Sequence, residues 1–406
     1  MEAPLLSAGR VRNPPPLSLY IHLPWCTRKC PYCDFNSHQA ATQIPETEYI
    51  NALLADAESL LPAIWGRRVQ TIFLGGGTPS LFSPTAIDRL FSGLRALSLL
   101  PPDIEITMEA NPDSSDMQKF SEFRALGINR LSLGVQSFDD SCLRILGRVH
   151  DGAAARRAAT AATEFDNFNI DLMHALPGQT ATAASTDVKI AIEFAPTHLS
   201  LYQLTLEPKT PFFRHPPTGL PSEDTGADIA DAVARTAAEN GYARYEVSAY
   251  ARAETQCNHN LNYWRFGDYA GIGAGAHGKL TVHGEIWRDV RITHPATYMR
   301  QAAAGTAVAK RNKVSVREAA FEFLLNALRL TDGFETAILT DYAGVTIADI
   351  EVPLAACEAD GLLERTATHI RPTTKGLRYL NDMLIRFLPT EKSVNRQHTI
   401  VLQTAK

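Results

Sequence analysis

Six short apolar runs of strand character recur about every 30 residues in the first half of the chain, and this spacing most constrains its fold. The runs lie at 17–23, 69–74, 104–109, 130–135, 168–173 and 198–204. Segments with helical spacing and capping residues separate them, at 45–60, 83–97, 114–126, 182–194 and 222–239. Alternating strands and helices indicate a parallel sheet that closes or half-closes into a barrel. We therefore predict an α/β fold.

The remaining segments suggest a division into further units. Residues 1–16 end in three prolines without a periodic apolar pattern, and we expect a flexible arm there. The barrel and its extension are expected at 17–290, a helical C-terminal domain at 310–390 and a tail at 391–406. Within the second domain, helical, turn and hairpin patterns are typical of a winged-helix unit. Its recognition segment, 351–360, is acidic, which favours packing or partner contact over DNA binding.

Polar residues gather where the predicted strands end. They are Tyr20 and His22 on the first strand, Gly75 to Thr78 after the second, Glu109 and Asn111 at the third, Gln136 at the fourth, Asp171 on the fifth and Gln203 near the end of the sixth. The carboxyl ends of parallel barrel strands meet at one face, so we predict that these residues share a site. Strand ends are commonly polar, so the pattern alone does not name a reaction.

Three cysteines follow the first strand at a CxxxCxxC spacing: Cys26, Cys30 and Cys33. Cubane iron–sulfur clusters usually take four thiolates, so three ligands would leave one iron open to an exogenous ligand. A zinc site with His38 as fourth ligand is the alternative. A disulfide framework is disfavoured, because six cysteines in 406 residues are sparse.

Composition excludes several function classes. The net charge of -5 and the absence of a basic stripe argue against a nucleic-acid partner. No charged segment followed by an apolar stretch begins the chain, and no window approaches ~18 consecutive apolar residues. We expect a soluble, cytoplasmic protein.

The glycine turn after the second strand, Gly75-Gly76-Gly77-Thr78, predicts a ligand contact. Glycines let backbone N–H groups approach an anionic or carboxylate group. Glu109 would offer a carboxylate to an ammonium or a ribose hydroxyl. A further set of side chains could together bind a zwitterion, with the guanidinium forking its carboxylate: Gln136, Arg148 and Asp171.

These motifs resemble those of the radical S-adenosylmethionine (SAM) family and, within it, the HemW heme chaperones. The likeness runs from residue 17 to 388 and includes YIHLPWC, GGGTPS, EANP, GVQSF and HNLNYW. HemW proteins are relatives of the oxygen-independent coproporphyrinogen III oxidase. Oxidases typically extend the cysteine motif to CxxxCxxCxC, and this chain has Phe35 in place of the last cysteine. Oxidases also carry a longer segment before the first strand. Both differences favour the chaperone.

The resemblance implies a partial (β/α)6 TIM-like radical SAM barrel with a smaller, mainly helical winged-helix-like domain. It makes Cys26, Cys30 and Cys33 the ligands of a 4Fe–4S cluster. The implied SAM contacts are Tyr20, Gly76, Gly77, Thr78 and Glu109. It places Gln136, Arg148 and Asp171 at positions that bind SAM, or a second SAM, in the oxidase branch. No catalytic side chain is assigned.

The HNxxYW motif that begins at His259 is the heme-binding feature that the resemblance implies. Heme iron takes His or Cys axial ligands, and the motif's aromatic residues could stack on a porphyrin while Arg265 meets a propionate. The alternative is an aromatic core patch with a hydrogen-bonded histidine. Cys257 and His277 are rival ligands.

The function that the resemblance implies is binding of heme and its delivery to heme-requiring proteins, such as respiratory enzymes at the membrane. Reduction of the cluster would cleave SAM to methionine and a 5′-deoxyadenosyl radical, whose purpose stays open. The alternative is an oxygen-independent coproporphyrinogen III oxidase-type enzyme. Transient membrane association is expected of a protein that serves membrane enzymes, and the oligomeric state, including a homodimer, stays open.

Overall fold

The computed structural model describes residues 11, 13–40, 43–112 and 117–388. Its helices are α1 (Glu46–Ile64), α2 (Pro84–Ala96), α3 (Phe120–Ala125), α4 (Asp140–Ile145), α5 (Gly152–Ala162), α6 (Ala181–Glu193), α7 (Pro211–Arg214), α8 (Glu223–Glu239), α9 (Asn258–Trp264), α10 (Pro295–Ala303), α11 (Val316–Ala327), α12 (Thr336–Ala343), α13 (Ile347–Ala359), α14 (Thr374–Arg378) and α15 (Leu380–Ile385), with a 3-10 helix at Pro79–Leu81.

The strands are β1 (Leu17–Leu23), β2 (Trp25–Cys26), β3 (His38–Gln39), β4 (Val69–Gly76), β5 (Glu105–Ala110), β6 (Arg130–Gln136), β7 (Phe168–His174), β8 (His198–Gln203), β9 (Ala243–Arg244), β10 (Ala249–Ala251), β11 (Asp268–Ile272), β12 (His277–Val282), β13 (Glu285–Arg291), β14 (Val308–Lys313), β15 (Phe334–Glu335), β16 (Leu363–Arg365) and β17 (His369–Pro372).

The six predicted barrel strands form the centre of one large sheet. They are β1 and β4 to β8, and each pairs with the next in parallel. The full strand order is β14-β13-β12-β11-β1-β4-β5-β6-β7-β8-β10-β9. Among the described residues the sheet does not close on itself, since β14 and β9 form its two edges. The predicted partial barrel is therefore confirmed.

The sheet extends further than the sequence patterns indicated. β11 pairs in parallel with β1 on the side away from β4, and β12 to β14 continue from it as antiparallel strands. On the opposite edge, β10 and β9 add antiparallel to β8. Helix α5, between β6 and β7, was also missed; its alanine-rich inner face is buried. The extension gives β1 a neighbour on both sides.

Several helices begin at capping side chains. The side chains of Ser83 and Ser222, at predicted helix starts, and of Thr180, two residues before a predicted start, accept hydrogen bonds from backbone N–H groups of α2, α8 and α6. Such caps satisfy donors that the first helical turn leaves without partners. The inner faces of these helices cover the outside of the sheet with aliphatic and aromatic side chains.

A buried ion network ties the extension to the start of the barrel. The carboxylate of Asp268, at the start of β11, accepts hydrogen bonds from Lys279 Nζ and Arg67 Nη1, each at 2.8 Å, and from the Thr281 N–H at 2.7 Å. Arg67 also donates to the Pro15 carbonyl at 2.6 Å. A buried carboxylate is tolerated when it is paired and hydrogen-bonded in this way. The network fixes β11 and β12 against the segment that enters β1.

The C-terminal domain has its own core and a three-stranded antiparallel sheet, β15-β17-β16, surrounded by α11 to α15. This confirms the predicted winged-helix-like, mainly helical domain. The acidic segment lies in α13, where Glu351 and Glu358 pair with Arg365 at 2.7 and 3.0 Å. Val11 packs into the same core. Most of the predicted arm, residues 1–10 and 12, and the predicted tail at 391–406 lie outside the described residues.

None of the helices in the described part of the chain combines the length and apolar character that crossing a membrane requires.

Candidate functional site

The cysteine loop leaves the carboxyl end of β1 and folds back on itself. β2 pairs in parallel with β3, which brackets the loop between Cys26 and His38. The Cys33 N–H donates to the Cys30 carbonyl at 3.2 Å. All three cysteines are free thiols and half-buried. Burial raises the pKa of Cys26 to about 11, and it also raises that of Cys33.

This donor set fits an iron–sulfur cluster, because three free thiols belong to one short loop. Besides burial, Cys33 and Cys30 each raise the pKa of the Cys26 thiol, which shows that the three sulfur atoms lie near one another. His38, the zinc alternative's fourth ligand, has its Nε2 3.3 Å from Asn36 Oδ1. Over the ranges that the structure describes, no three His, Cys, Asp or Glu side chains are placed to hold a single metal ion.

The glycine turn packs directly on this loop. The Gly77 N–H donates to the Leu23 carbonyl at 2.9 Å, and the Thr78 N–H donates to the Trp25 carbonyl at 2.7 Å. A Cβ at position 77 would lie 2.4 Å from the Trp25 carbonyl oxygen. At Gly76, where φ is +110°, a Cβ would lie 2.3 Å from the His22 ring. Only glycine allows both approaches.

The prediction that backbone N–H groups of the glycine turn face a ligand is wrong. The N–H groups of Gly76, Gly77 and Thr78 all donate to protein oxygens. The glycines serve close packing of the turn against the cysteine loop. Any ligand contact of the turn has to come through other backbone or side-chain atoms.

Glu109 lies at the carboxyl end of β5 and accepts the Gly76 N–H at 3.1 Å. Burial, and to a smaller extent the nearby carboxylate of Asp171, raise the pKa of Glu109 to about 8, while the Gly76 hydrogen bond acts in the opposite direction. Asp171 accepts hydrogen bonds from Asn169 Nδ2 at 2.7 Å and Ser132 Oγ at 3.4 Å. The barrel mouth, formed by the carboxyl ends of the six central strands, thus contains two acidic groups. A cationic ligand would stabilise the ionised forms of both.

Arg148 connects the cysteine loop to the strand ends. Its Nη1 lies 3.6 Å from Cys30 Sγ, and its Nη2 donates to Asn111 Oδ1 at 2.6 Å and to the Gly134 carbonyl at 2.7 Å. The Asn111 amide in turn donates to Thr78 Oγ1 at 2.7 Å. Arg148 is therefore part of the site and not a solvated surface residue.

A small cavity lies beside this arginine. Its lining residues are Thr27, Arg28, Cys30, Thr78, Asn111, Gly147, Arg148 and Val149. Arg148 Nε is buried with no hydrogen-bond partner among the described residues. Asn111 was noticed as a strand-end residue but not as a candidate ligand contact. Its position two residues after Glu109 was the signal, since alternate strand residues share a face.

Tyr20 and His22 form a hydrogen-bonded pair on the inner face of β1. His22 Nε2 lies 2.9 Å from the Asn36 carbonyl, which can only accept, so Nε2 carries the proton. His22 Nδ1 then accepts the Tyr20 hydroxyl at 3.0 Å. Burial lowers the pKa of His22 to about 4, which keeps the ring neutral near pH 7. This pair fixes the orientation of the Tyr20 hydroxyl.

Gln136 occupies the left-handed region, with φ of 71°, at the end of β6. Its Oε1 accepts the hydroxyl of Tyr202, on β8, at 2.7 Å. Tyr202 was not predicted as a site residue; its place beside Gln203 at the end of the sixth strand is the available signal. The structure therefore brings predicted residues of the first five strands to one mouth. Gln203 of β8 does not join them, because its side-chain nitrogen lies beside Gly226 of α8 on the outside of the sheet, while the preceding Tyr202 faces the mouth.

The HNxxYW motif forms α9, which packs against β1, β4 and β11 near the opposite ends of the strands. His259 is 1% exposed. Its Nδ1 lies 2.8 Å from Thr71 Oγ1 and its Nε2 lies 3.1 Å from the Tyr263 hydroxyl. Thr71 is five residues before Gly76 on β4, a separation of roughly 15 Å. The imidazole is thus enclosed and distant from the cysteine loop.

The surroundings of His259 complete this picture. Burial lowers its pKa to about 3. The carboxylate of Glu105 accepts the N–H groups of Asn258 and His259, each at 3.0 Å, and so stabilises the first turn of α9. Of the rival ligands, Cys257 is buried, with its pKa raised to about 12 by burial, while His277 is exposed.

Comparison with known proteins agrees with this geometry. Residues 20–185 match the radical SAM superfamily, and residues 314–379 match the HemN C-terminal domain. The chain is 44% identical to the heme chaperone HemW of Escherichia coli over 377 residues, covering 92% of this chain and 98% of that protein. It is 34% identical to mouse "Radical S-adenosyl methionine domain-containing protein 1, mitochondrial", covering 92% of this chain and 87% of that protein.

Among solved structures, the coproporphyrinogen III oxidase HemN of Escherichia coli shares the fold, with a TM-score of 0.78, 24% identity and coverage of 92% of this chain and 90% of that one. This likeness includes both the barrel and the C-terminal domain.

The raised pKa of Glu109 predicts a pH-dependent stability. The carboxyl has its ordinary pKa of 4.5 when unfolded and about 8 when folded, so the folded chain binds more protons between these values. Its contribution is fully present below the unfolded value and is lost as the pH rises through the folded one. From about pH 6 to about pH 9, the thermal midpoint of the wild type should fall relative to that of Glu109→Gln, which mimics the protonated acid.

Differential scanning fluorimetry of the cluster-free protein measures this difference, with exposed Glu48→Gln as the control. Parallel profiles for the wild type and Glu109→Gln would contradict the assignment.

Proposed function

Since the chain belongs to the HemW family of radical SAM proteins, we propose that it binds heme and delivers it to heme-requiring proteins. The observation that carries the proposal is the 44% identity to a heme chaperone over nearly the whole of both chains. The retained cysteine loop and glycine turn support it from the geometry.

In this proposal, Cys26, Cys30 and Cys33 hold the 4Fe–4S cluster. When bound, the cluster supplies an electron for the reductive cleavage of SAM. Arg148 places a positive charge 3.6 Å from Cys30 Sγ, beside one of the proposed cluster ligands. Arg148 also fixes the loop against β6 through the Gly134 carbonyl, so that the cluster would sit over the strand ends.

The SAM site that we propose lies next to the cluster. Glu109 offers a carboxylate to the ammonium or to a ribose hydroxyl, and the proton that it carries near neutral pH would leave as the cation binds. The Tyr20 ring and the Glu109 carboxylate both lie beside Gly75. Gly76, Gly77 and Thr78 border the same space. Gln136, Arg148 and Asp171 line the remainder, and one SAM uses this set in the proposal.

The proposal also concerns the proteins that would receive the heme. Respiratory enzymes at the membrane would be suitable recipients, and a cytoplasmic protein that serves them would associate with the membrane transiently. A homodimer would be compatible with this role. The C-terminal domain, whose acidic helix α13 is neutralised in part by Arg365, would serve packing or partner contact without nucleic acid.

The first prediction concerns the cluster. Cys30→Ala removes one of three thiolates, so the anaerobically reconstituted protein should lose its brown absorbance and most of its iron. Cys142→Ala, which removes a free cysteine in α4, should retain both. Iron content per chain and the visible spectrum measure the effect, with circular dichroism to confirm folding. Equal iron in the two variants would show that Cys30 is not a ligand.

The second prediction separates the chaperone from an oxidase. With cluster, SAM and reductant under anaerobic conditions, the chain should form no protoporphyrinogen from coproporphyrinogen III. The heme-loaded chain should transfer heme to a heme-free acceptor protein faster than heme-loaded serum albumin does. Chromatography of the porphyrins and the acceptor's Soret band are the readouts. Turnover of coproporphyrinogen III would overturn the chaperone proposal in favour of the oxidase.

A further inference from the structure

The inner face of the barrel continues past β1 onto the extension. Tyr20 on β1 pairs with Gly271 on β11. β11 and β12 pair in antiparallel fashion at Tyr269 and Lys279. Two residues further along β11, a Cβ at Gly271 would lie 1.9 Å from the His277 carbonyl oxygen, so the backbone of His277 covers the side of Gly271 on which a side chain would project. Because Gly271 is paired with Tyr20, that is also the side on which the Tyr20 ring lies.

His277 differs from the other histidines of the inner face. His22, His198 and His259 each have both ring nitrogens within hydrogen-bond distance of protein atoms. The ring of His277 makes no hydrogen bond within the described ranges, and the residue is exposed. It is also near enough to His22 to interact with it electrostatically. Its imidazole nitrogens are therefore available to a ligand close to the barrel mouth.

Aromatic rings lie on the same inner face, on β1, β4, β11 and α9. Tyr263, from the HNxxYW motif, packs edge-on against Tyr269 with ring centroids 4.5 Å apart. Tyr20 stacks on Phe73 at 6.4 Å. All four rings are half-exposed, in contrast to the enclosed His259. His259 holds this wall in place, since it contacts the Tyr263 hydroxyl and packs against Phe73 at 5.1 Å. The face thus offers flat apolar surface beside an accessible imidazole.

Cationic groups border the same face. Arg288 pairs with Lys279 in the sheet and donates to the Tyr269 hydroxyl at 2.5 Å and to Glu322 at 2.7 Å. Lys310 is exposed on β14, opposite Val290, which is itself opposite His277. By register, these cations project on the side of the sheet that carries His277. They are suited to the carboxylates of an amphipathic, planar ligand.

We propose that an iron porphyrin binds on this face, with the imidazole of His277 as axial ligand of the iron. In this site, Tyr20, Tyr263 and Tyr269 contact the apolar surface of the porphyrin, and Arg288 and Lys310 meet its propionates. His259 is a positioning residue that holds Tyr263, not the iron ligand. This inference rests on the proposed function and assigns the site at which its heme would bind.

Titration of the cluster-loaded chain with hemin, followed anaerobically by difference absorption and by electron paramagnetic resonance of the ferric heme, tests the site. Wild type should bind about one heme per chain with an imidazole-ligand signature. His277→Ala should weaken binding on the order of tenfold or more and lose that signature, because a direct ligand contributes at least as much as an outer-shell partner. Added imidazole should restore the signature.

Two variants make the result specific. His283→Asn removes an exposed histidine from the turn at the far end of the same hairpin and should bind heme as the wild type does. His259→Gln should keep the imidazole signature, even if its affinity falls. Cluster content and thermal midpoint of each variant show that it has folded.

Three outcomes would contradict the inference in distinguishable ways. Wild-type affinity and spectrum in His277→Ala would overturn the site while leaving the heme function intact. Loss of the signature in His259→Gln but not in His277→Ala would return the ligand to the motif histidine. Absence of saturable heme binding by the wild type would overturn the proposed function, and the site with it.

Discussion

The parallel pairing of β1 with β4 on one side and β11 on the other is the constraint on which the rest of the structure depends. β1 leads directly into the cysteine loop, carries Tyr20 and His22 on its inner face, and sets the register of both neighbours. Through β4 it fixes the glycine turn, and through β11 it fixes His277. A one-residue slip in either pairing would turn these side chains to the outer face.

The inner face of this sheet carries many polar groups, which lie in two zones. Near the strand starts, Asp268, Lys279 and Arg67 form a buried network that fixes the extension, and Thr71 and Tyr263 occupy the ring nitrogens of His259. These contacts join segments that are far apart in the chain, although Thr107 Oγ1 and Arg130 Nε in the same zone have no hydrogen-bond partner among the described residues. Near the strand ends, Glu109 has a raised pKa and Arg148 Nε has no partner among the described residues. A charged ligand would gain the most binding free energy where polar groups of the protein lack such partners.

Much of the fold could be predicted from the sequence, because the six central strands have runs of β-branched and apolar residues about one βαβ unit apart. The cysteine spacing is local, so its ligand set could be predicted as well. The strands β11 to β14 could not, since polar and charged residues interrupt their apolar patterns, as in the VAKRNK segment of β14. The backbone N–H groups of the glycine turn donate within the protein because Gly77 packs against Trp25, a contact that the local sequence does not reveal. The enclosure of His259 depends in the same way on its packing against β4. The pairing of β11 with β1 and β12, which no local pattern reveals, brings the backbone of His277 to Gly271, the partner of Tyr20.

The central claim is that cluster, SAM and heme gather on one inner face organised by β1. Iron-edge anomalous diffraction from crystals of the cluster-containing chain loaded with hemin tests it most directly. The account predicts two separate iron peaks, one within the loop of Cys26, Cys30 and Cys33 and one at bonding distance from an imidazole nitrogen of His277. A second peak beside His259, or on the outer surface of the sheet, would contradict it.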